Sequence, residues 1–350
     1  MPTQPVVRVI AEPAFPDSLV CDTALRELPD GSWVMTMLGG GSTEPRPENR
    51  VFLTRSLDRG ETWTPLERQE VGLGEAAQTP CEFMILPDRC VLYVSSHDGT
   101  FGDWRTFTVE STDGCRTWSA PQPLPGFLSE RSFIRPHIVT RDGRLIVPWQ
   151  YYRRTDERPL DLGDSRHFSV PRDSRNGVMI SEDEGKSWPI HGDIRLNSDP
   201  DYHAWAEPAI VELSDGRIAM LIRNDQTGCL YRAESTDGGR TWPQFADATD
   251  IPNPGAKITL YSNDEGAIAL VHNPNPTPGQ RRPLSLWVSY DNMQTWPHQQ
   301  VLVPESLDGP DYPGMGLSYP DGFLDRDGHT LHIAFDDNRH RAVYVRAEIP

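Results

Sequence analysis

The 350-residue sequence predicts an all-β fold: one domain built as a six-bladed β-propeller. Three observations predict it. An eight-residue turn motif recurs five times, six tight hairpins each lead into an apolar strand, and the two terminal segments read as strands able to close a ring.

The motif is S-x-D-x-x-x-[TS]-W. It appears as SLDRGETW (56–63), STDGCRTW (111–118), SEDEGKSW (181–188), STDGGRTW (235–242) and SYDNMQTW (289–296), with successive serines 55, 70, 54 and 54 residues apart. A near-constant spacing of this kind dictates architecture. The aspartate accepts hydrogen bonds from its own loop, glycine permits a positive φ, and the tryptophan packs between sheets. These aspartates are therefore read as structural. Cys115 and Met293 stand at the usual glycine position in the second and fifth copies, which predicts distorted turns there.

The hairpins read LPDGSWVMTM, LPDRCVLYVS, TRDGRLIVPW, LSDGRIAMLI, SNDEGAIALV and DRDGHTLHIA, with first aspartates Asp30, Asp88, Asp142, Asp215, Asp264 and Asp327. Tight Asp/Gly turns followed by apolar runs are hairpin signals. All but the last hairpin lead to a tryptophan turn, so there are six blades, the last abbreviated. VVRVI near the start would complete that sheet beside AVYVRAEI at the end, leaving only short protected edges. The polar stretch 151–177 reads as an excursion over one face, a candidate substrate-facing loop.

Composition narrows the partners. The net charge is −18, and the 33 basic residues include only two lysines, Lys186 and Lys257. An acidic surface repels nucleic acid and anionic lipid, so neither is an expected partner. No apolar stretch is long enough for a bilayer span. The start has no basic segment leading into an apolar run, which predicts a cytoplasmic protein while leaving a processed secreted form open. Five cysteines without CxxC spacing suggest neither a zinc site nor a disulfide framework, and no metal or cofactor is expected. Oligomeric state is not readable.

The innermost strand of each blade immediately precedes its hairpin: LVCDTALREL, TPCEFMIL, FIRPHIVT, WAEPAIVEL, GAKITLY and LSYPDGFL. Asp22, Glu207 and Tyr319 lie eight residues before their hairpin aspartates, Arg135 and Lys257 seven, and Glu82 six. Ionisable groups at one end of several inner strands converge on the axis, where an active site is the default hypothesis. The plainer reading is a solvated channel mouth with structural ion pairs. His137 reads as a channel histidine. His97 in SSHDG and the DDNRH run at 336–340 sit at strand ends facing the same side and read first as loop chemistry.

At these residues the chain resembles the sialidase (neuraminidase) superfamily over essentially its whole length. The five motif copies resemble its Asp-box turns, which specify fold rather than reaction. WAEPAIVELSDGRIAMLIRN is similar to the segment in which a glutamate is followed by a substrate-binding arginine, implying Glu207 and Arg223. RRPLSLWVSYD resembles the segment of another arginine, implying Arg282, and LSYPDGFL resembles the segment of the tyrosine nucleophile, implying Tyr319. The resemblance places an acid/base carboxylate in GGGSTEPRPENR, where Glu44 and Glu48 are the candidates. These roles are coherent: a tyrosine with a pKa of about 10 needs a carboxylate base, which Glu207 would supply. Arginine forks suit a substrate carboxylate.

One departure matters. Sialidases carry an arginine on the first inner strand, and the stretch here is VCDTAL, with Cys21 or Asp22 at that position. A second anion about 4 Å from Asp22 would be repelled by about 4 kcal/mol at an effective dielectric of about 20. Sialic acid glycosides are accordingly expected to be poor substrates unless Arg135 replaces the missing arginine. Three readings stay open. The first is a glycosidase of a terminal sugar, acidic or neutral, with Asp22 as acid or base. The second is a uronate lyase, with Tyr319 or His137 abstracting a proton beside a carboxylate held by Arg223 and Arg282. The third is a non-catalytic carbohydrate-binding propeller.

Overall fold

The protein is described by a computed structural model covering residues 5–154, 172–199, 202, 204–311 and 313–350. Six antiparallel sheets make up the described chain, five with their first strand innermost and the sixth with Val6–Ala11 on its outer edge. Blade one illustrates the plan: Val20–Glu27 inside, then Trp33–Gly39, Arg50–Ser56 and the short outer Glu67–Arg68. In blade three the inner strand is split into Ser132–Ile134 and Ile138–Val139, with Pro136 in the break. A proline lacks the N–H needed to continue a ladder.

The sixth sheet closes the ring. Val6–Ala11 pairs antiparallel with Arg341–Glu348, outside Thr330–Asp337 and the inner Leu317–Leu324. The pairing expected between the two terminal segments is thus present, and the last blade has four strands.

Packing explains why the strands are apolar on both faces. Each pair of neighbouring sheets shares its own core. Between blades six and one it is built around Trp33, Met35, Met37, Ala334 and Tyr344, and between blades two and three around Tyr93, Trp104, Phe133, Trp149 and Tyr152. Burial of such rings supplies most of the stabilisation in a fold without helical bundles.

The tryptophan turns hold their shape through one repeated hydrogen-bond set. In the first copy Asp58 Oδ1 accepts from the Ser56 hydroxyl and the Thr62 amide, each at 2.8 Å, and the Ser56 Oγ accepts the Gly60 amide at 2.7 Å. Cys115 and Met293 do not distort their copies. They adopt φ of 63° and 62°, and their amides reach the motif serine at 2.9 Å. The turn imposes the left-handed backbone, and these residues accept it while burying their side chains.

Candidate active site

The chain's rule for aiming side chains at the axis is visible in the strand registers. In blade one the pairing slips between Cys21 and Ala24, and in blade six between Ser318 and Asp321. A bulge adds a residue and re-aims the side chain. Asp22 and Tyr319 sit in these bulges with φ of 48° and 52°. For a bulky aromatic this backbone is a genuine outlier, costing on the order of 1–3 kcal/mol. Glu207 and Arg223 meet differently. They continue the ladder of the first hairpin of blade four, Arg223 N–H donating to Glu207 C=O at 3.0 Å, so their side chains stand side by side. Arg135 occupies the break in the inner strand of blade three.

These residues line a pocket of about 410 Å³ together with Glu44, Phe101, Phe133, Trp205, Asp225, Arg281 and Arg339. The inner strands supply the floor. The walls come from the loops joining the second and third strands of the blades: Glu44 from blade one, Phe101 from blade two, Asp225 from blade four, Arg281 from blade five and Arg339 from blade six.

The electrostatics are unequal around the pocket. Glu207 binds Arg135 at 2.7 Å and Arg223 at 2.5 Å. Burial pushes its carboxyl up, but the two guanidiniums outweigh burial and hold it at about 2. Among the described residues Asp22 has one ion pair, to Arg135 at 3.4 Å, and burial raises it to about 6. Arg339 pairs with Glu44 at 2.5 Å. Arg281 is buried and among the described residues has no carboxylate partner, donating only to Ser318 Oγ at 3.0 Å and the Gly255 carbonyl at 3.2 Å. Burial and the nearby Arg223 lower its pKa. Arg281 and Arg339 each stand 5.6 Å from the centroid of the Tyr319 ring, and burial and Glu207 raise the phenol.

Asp336, buried behind Arg339, is raised by burial to about 7. Asp22 and Asp336 bind protons more readily folded than unfolded. Their contribution to stability is therefore complete below the ordinary carboxylate range and is lost as pH rises through about 6 and about 7.

An aromatic wall adjoins the charged groups. Trp205 packs on Tyr152, Phe133 and Phe101 with ring centroids 5.1, 6.1 and 6.3 Å apart. The Arg135 guanidinium lies over the Phe133 ring at 5.7 Å, so cations, acids and ring faces share one pocket.

Of the residues singled out from the sequence, the fold brings Asp22, Glu44, Arg135, Glu207, Arg223 and Tyr319 to this pocket. Four others stand elsewhere. Glu48 is exposed and does not line the pocket. Arg282 is exposed and donates to the Pro310 carbonyl at 2.9 Å, while its neighbour Arg281 turns inward. His137 lies below, where its Nδ1 meets Glu82 at 2.8 Å. That glutamate belongs to a buried axial cluster: Arg26 binds Glu82 at 3.1 Å and Asp321 at 2.7 Å, and Lys257 binds Asp321 at 3.1 Å. His97 is buried behind the wall, between Thr79 Oγ1 at 3.2 Å and the Gly99 amide at 3.0 Å, and burial lowers it to about 4. The polar excursion read at 151–177 falls largely on residues 155–171, which lie outside the described residues. Arg281, Arg339, Asp225 and the aromatic wall carried no sequence signal beyond the DDNRH run.

Fold and pocket together define a six-bladed propeller with an axial pocket lined by acids, arginines and aromatic rings. The chain belongs to the BNR repeat-like domain family, which it matches over residues 31–333, and is a sialidase-like member of that superfamily. It is 25% identical to a sialidase of Bacteroides fragilis over 73% of this chain and 49% of that one. It is 26% identical to a sialidase of Micromonospora viridifaciens over 81% of this chain and 46% of the relative. It therefore spans about half the length of each. Among solved structures, a Dyadobacter fermentans protein of unknown function superposes with a TM-score of 0.73 at 15% identity, covering 100% of this chain and 99% of the other. The NanB sialidase of Streptococcus pneumoniae gives 0.70 at 15% identity, covering 98% and 70%. At these identities the structural likeness speaks for the fold alone.

Proposed function

We propose that the pocket is the active site of a glycosidase that removes a terminal sugar bearing one carboxylate, with Tyr319 as nucleophile. The observation that carries this reading is Arg281, a buried guanidinium beside the Tyr319 ring with no carboxylate partner among the described residues. A buried cation is costly unless an anion meets it, and a substrate carboxylate would do so with bidentate geometry. Tyr319 would attack the anomeric carbon while its proton passes to Glu207, which is ionised across the working range. Tyrosine nucleophiles are a recognised exception to the two-carboxylate scheme. Asp22, protonated up to about pH 6, would deliver a proton to the leaving oxygen. The aromatic wall would cover the apolar face of the sugar ring.

Arg135 is engaged by Asp22 and Glu207, and Arg339 by Glu44. Neither is an uncommitted cation, which supports a preference for sugar acids other than sialic acid.

A panel of 4-nitrophenyl glycosides tests the reading. Nitrophenol should be released from a carboxylated sugar, weakly from a sialoside and not from neutral sugars. Arg281→Gln should raise KM for the acidic substrate about 10²-fold. Equal turnover of neutral sugars, or an unsaturated product absorbing in the ultraviolet, would refute it, the latter pointing to elimination.

The rate should decline as pH rises through about 6, because Asp22 then loses the proton it donates. Asp22→Asn should slow a methyl glycoside about 10²-fold or more and a nitrophenyl glycoside far less, since nitrophenolate leaves without a proton. Equal slowing of both substrates would remove Asp22 from the acid role.

A further inference from the structure

Away from the pocket, the second tryptophan turn holds a feature that the glycosidase reading does not use. Cys115 takes the motif's glycine position, and its amide donates to Ser111 Oγ at 2.9 Å. Ser111 is in turn the direct cross-strand partner of Cys90, the first residue of the strand Cys90–His97. The turn therefore folds Cys115 back over Cys90. Both side chains belong to the apolar core between blades one and two.

The two sulfurs are not equivalent. Cys90 lines a cleft of about 200 Å³ formed by the first hairpin turns of blades one and two, with Leu28, Pro29, Asp30, Pro87 and Asp88 around it. Cys115 does not line this cleft; both thiols are buried, Cys90 at 4% exposure and Cys115 at 1%. The contact with Cys115 lowers the Cys90 thiol, with help from Arg55 and against burial, Asp113 and Asp30. The same contact and burial raise Cys115. Arg55 is fixed there by its bond to the Cys115 carbonyl at 2.8 Å. A thiol that ionises more easily and borders a cleft, backed by a second thiol, is the arrangement of an attacking and a resolving cysteine.

We propose that Cys90 and Cys115 form a redox-modification site, in which Cys90 takes the oxidant from the cleft and Cys115 resolves it to an intrachain disulfide. With a low-molecular-weight disulfide such as glutathione disulfide, the Cys90 thiolate attacks one sulfur. A Cys90–glutathione bond forms and one glutathione thiolate leaves. Cys115 then attacks the Cys90 sulfur, and its proton ends on the second departing glutathione. Two thiols have lost two electrons, and one glutathione disulfide has become two glutathione thiols. The product ties the start of the second strand of blade two to its own outer turn.

The native full chain incubated with glutathione disulfide, blocked with N-ethylmaleimide and digested with trypsin without reduction tests this. Cleavage after Arg89, Arg105 and Arg116 separates the two cysteines onto peptides 90–105 and 106–116. The expected species is those two peptides joined, with a mass two hydrogens below their sum, while Cys21, Cys81 and Cys229 are recovered blocked. Cys115→Gly restores the residue that three other copies of the turn carry at this position, at a φ of 63° that glycine favours. In that variant the linked species should vanish and Cys90 should remain as its glutathione adduct, with glycosidase activity unchanged. Recovery of both peptides separately blocked from the wild type, or a Cys90–glutathione adduct that persists with Cys115 intact, would overturn the proposal. The wild-type measurement decides it even where the variant folds poorly.

Discussion

Tyr319→Phe should lower kcat on an acidic aryl glycoside by about 10³- to 10⁵-fold while leaving KM within a few-fold of wild type. The reason lies in what the substitution keeps. The phenylalanine ring retains its place between Arg281 and Arg339, each 5.6 Å from the ring centroid, and the backbone at φ 52° is unaffected by loss of a hydroxyl. Binding groups persist and only the oxygen that would form the glycosyl bond is gone. Initial-rate kinetics with a matched melting curve provide the check. Near-wild-type turnover would mean that the phenol is not the nucleophile and that the bulge at Tyr319 serves packing alone.

Glu207→Gln should have a comparable effect on rate, about 10³-fold, and a second effect that Tyr319→Phe lacks. Glu207 is the shared anion of Arg135 and Arg223. Without its charge the phenol loses its base. Among the described residues Arg135 is also left with Asp22 as its one carboxylate. An anion that raised Asp22 disappears and a cation that lowers it is freed, so the Asp22 carboxyl should fall below about 6. The descending limb of the residual activity should therefore move to lower pH. An NMR titration of the Asp22 carboxyl checks the same shift without relying on slow turnover. An unmoved limb would show that Asp22 and Glu207 are electrostatically independent, contrary to the geometry of the shared Arg135.

The propeller was readable because its signals repeat. Five turns built on the same aspartate and tryptophan, and six hairpins before them, specify both the number of blades and the identity of each inner strand. Counting back from the hairpins reached Asp22, Arg135, Glu207 and Tyr319, because the bulges of blades one and six and the break of blade three fall at nearly the same distance from their turns. The count did not separate levels along the axis. Lys257, at the same distance as Arg135, is bonded one layer below to Asp321. Loops obey no such count. In RRP both arginines precede a strand, and no local pattern tells which of two successive side chains turns inward. The answer comes from Ser318 and the Gly255 carbonyl, supplied by other blades. Arg339 was within a run already noted, but its role depends on Glu44, which is 295 residues away in sequence. The aromatic wall likewise assembles from three blades and has no sequence periodicity.

The strand Val6–Ala11 gives this ring an unusual kind of seam. Val6–Ala11 and Arg341–Glu348 lie side by side in one sheet, so the ring is shut by backbone hydrogen bonds between segments remote in sequence. The strands of the five other wedges follow one another along the chain. Whatever opens the circle must first part residues 6–11 from residues 342–346, which makes that border the natural clasp of the whole assembly.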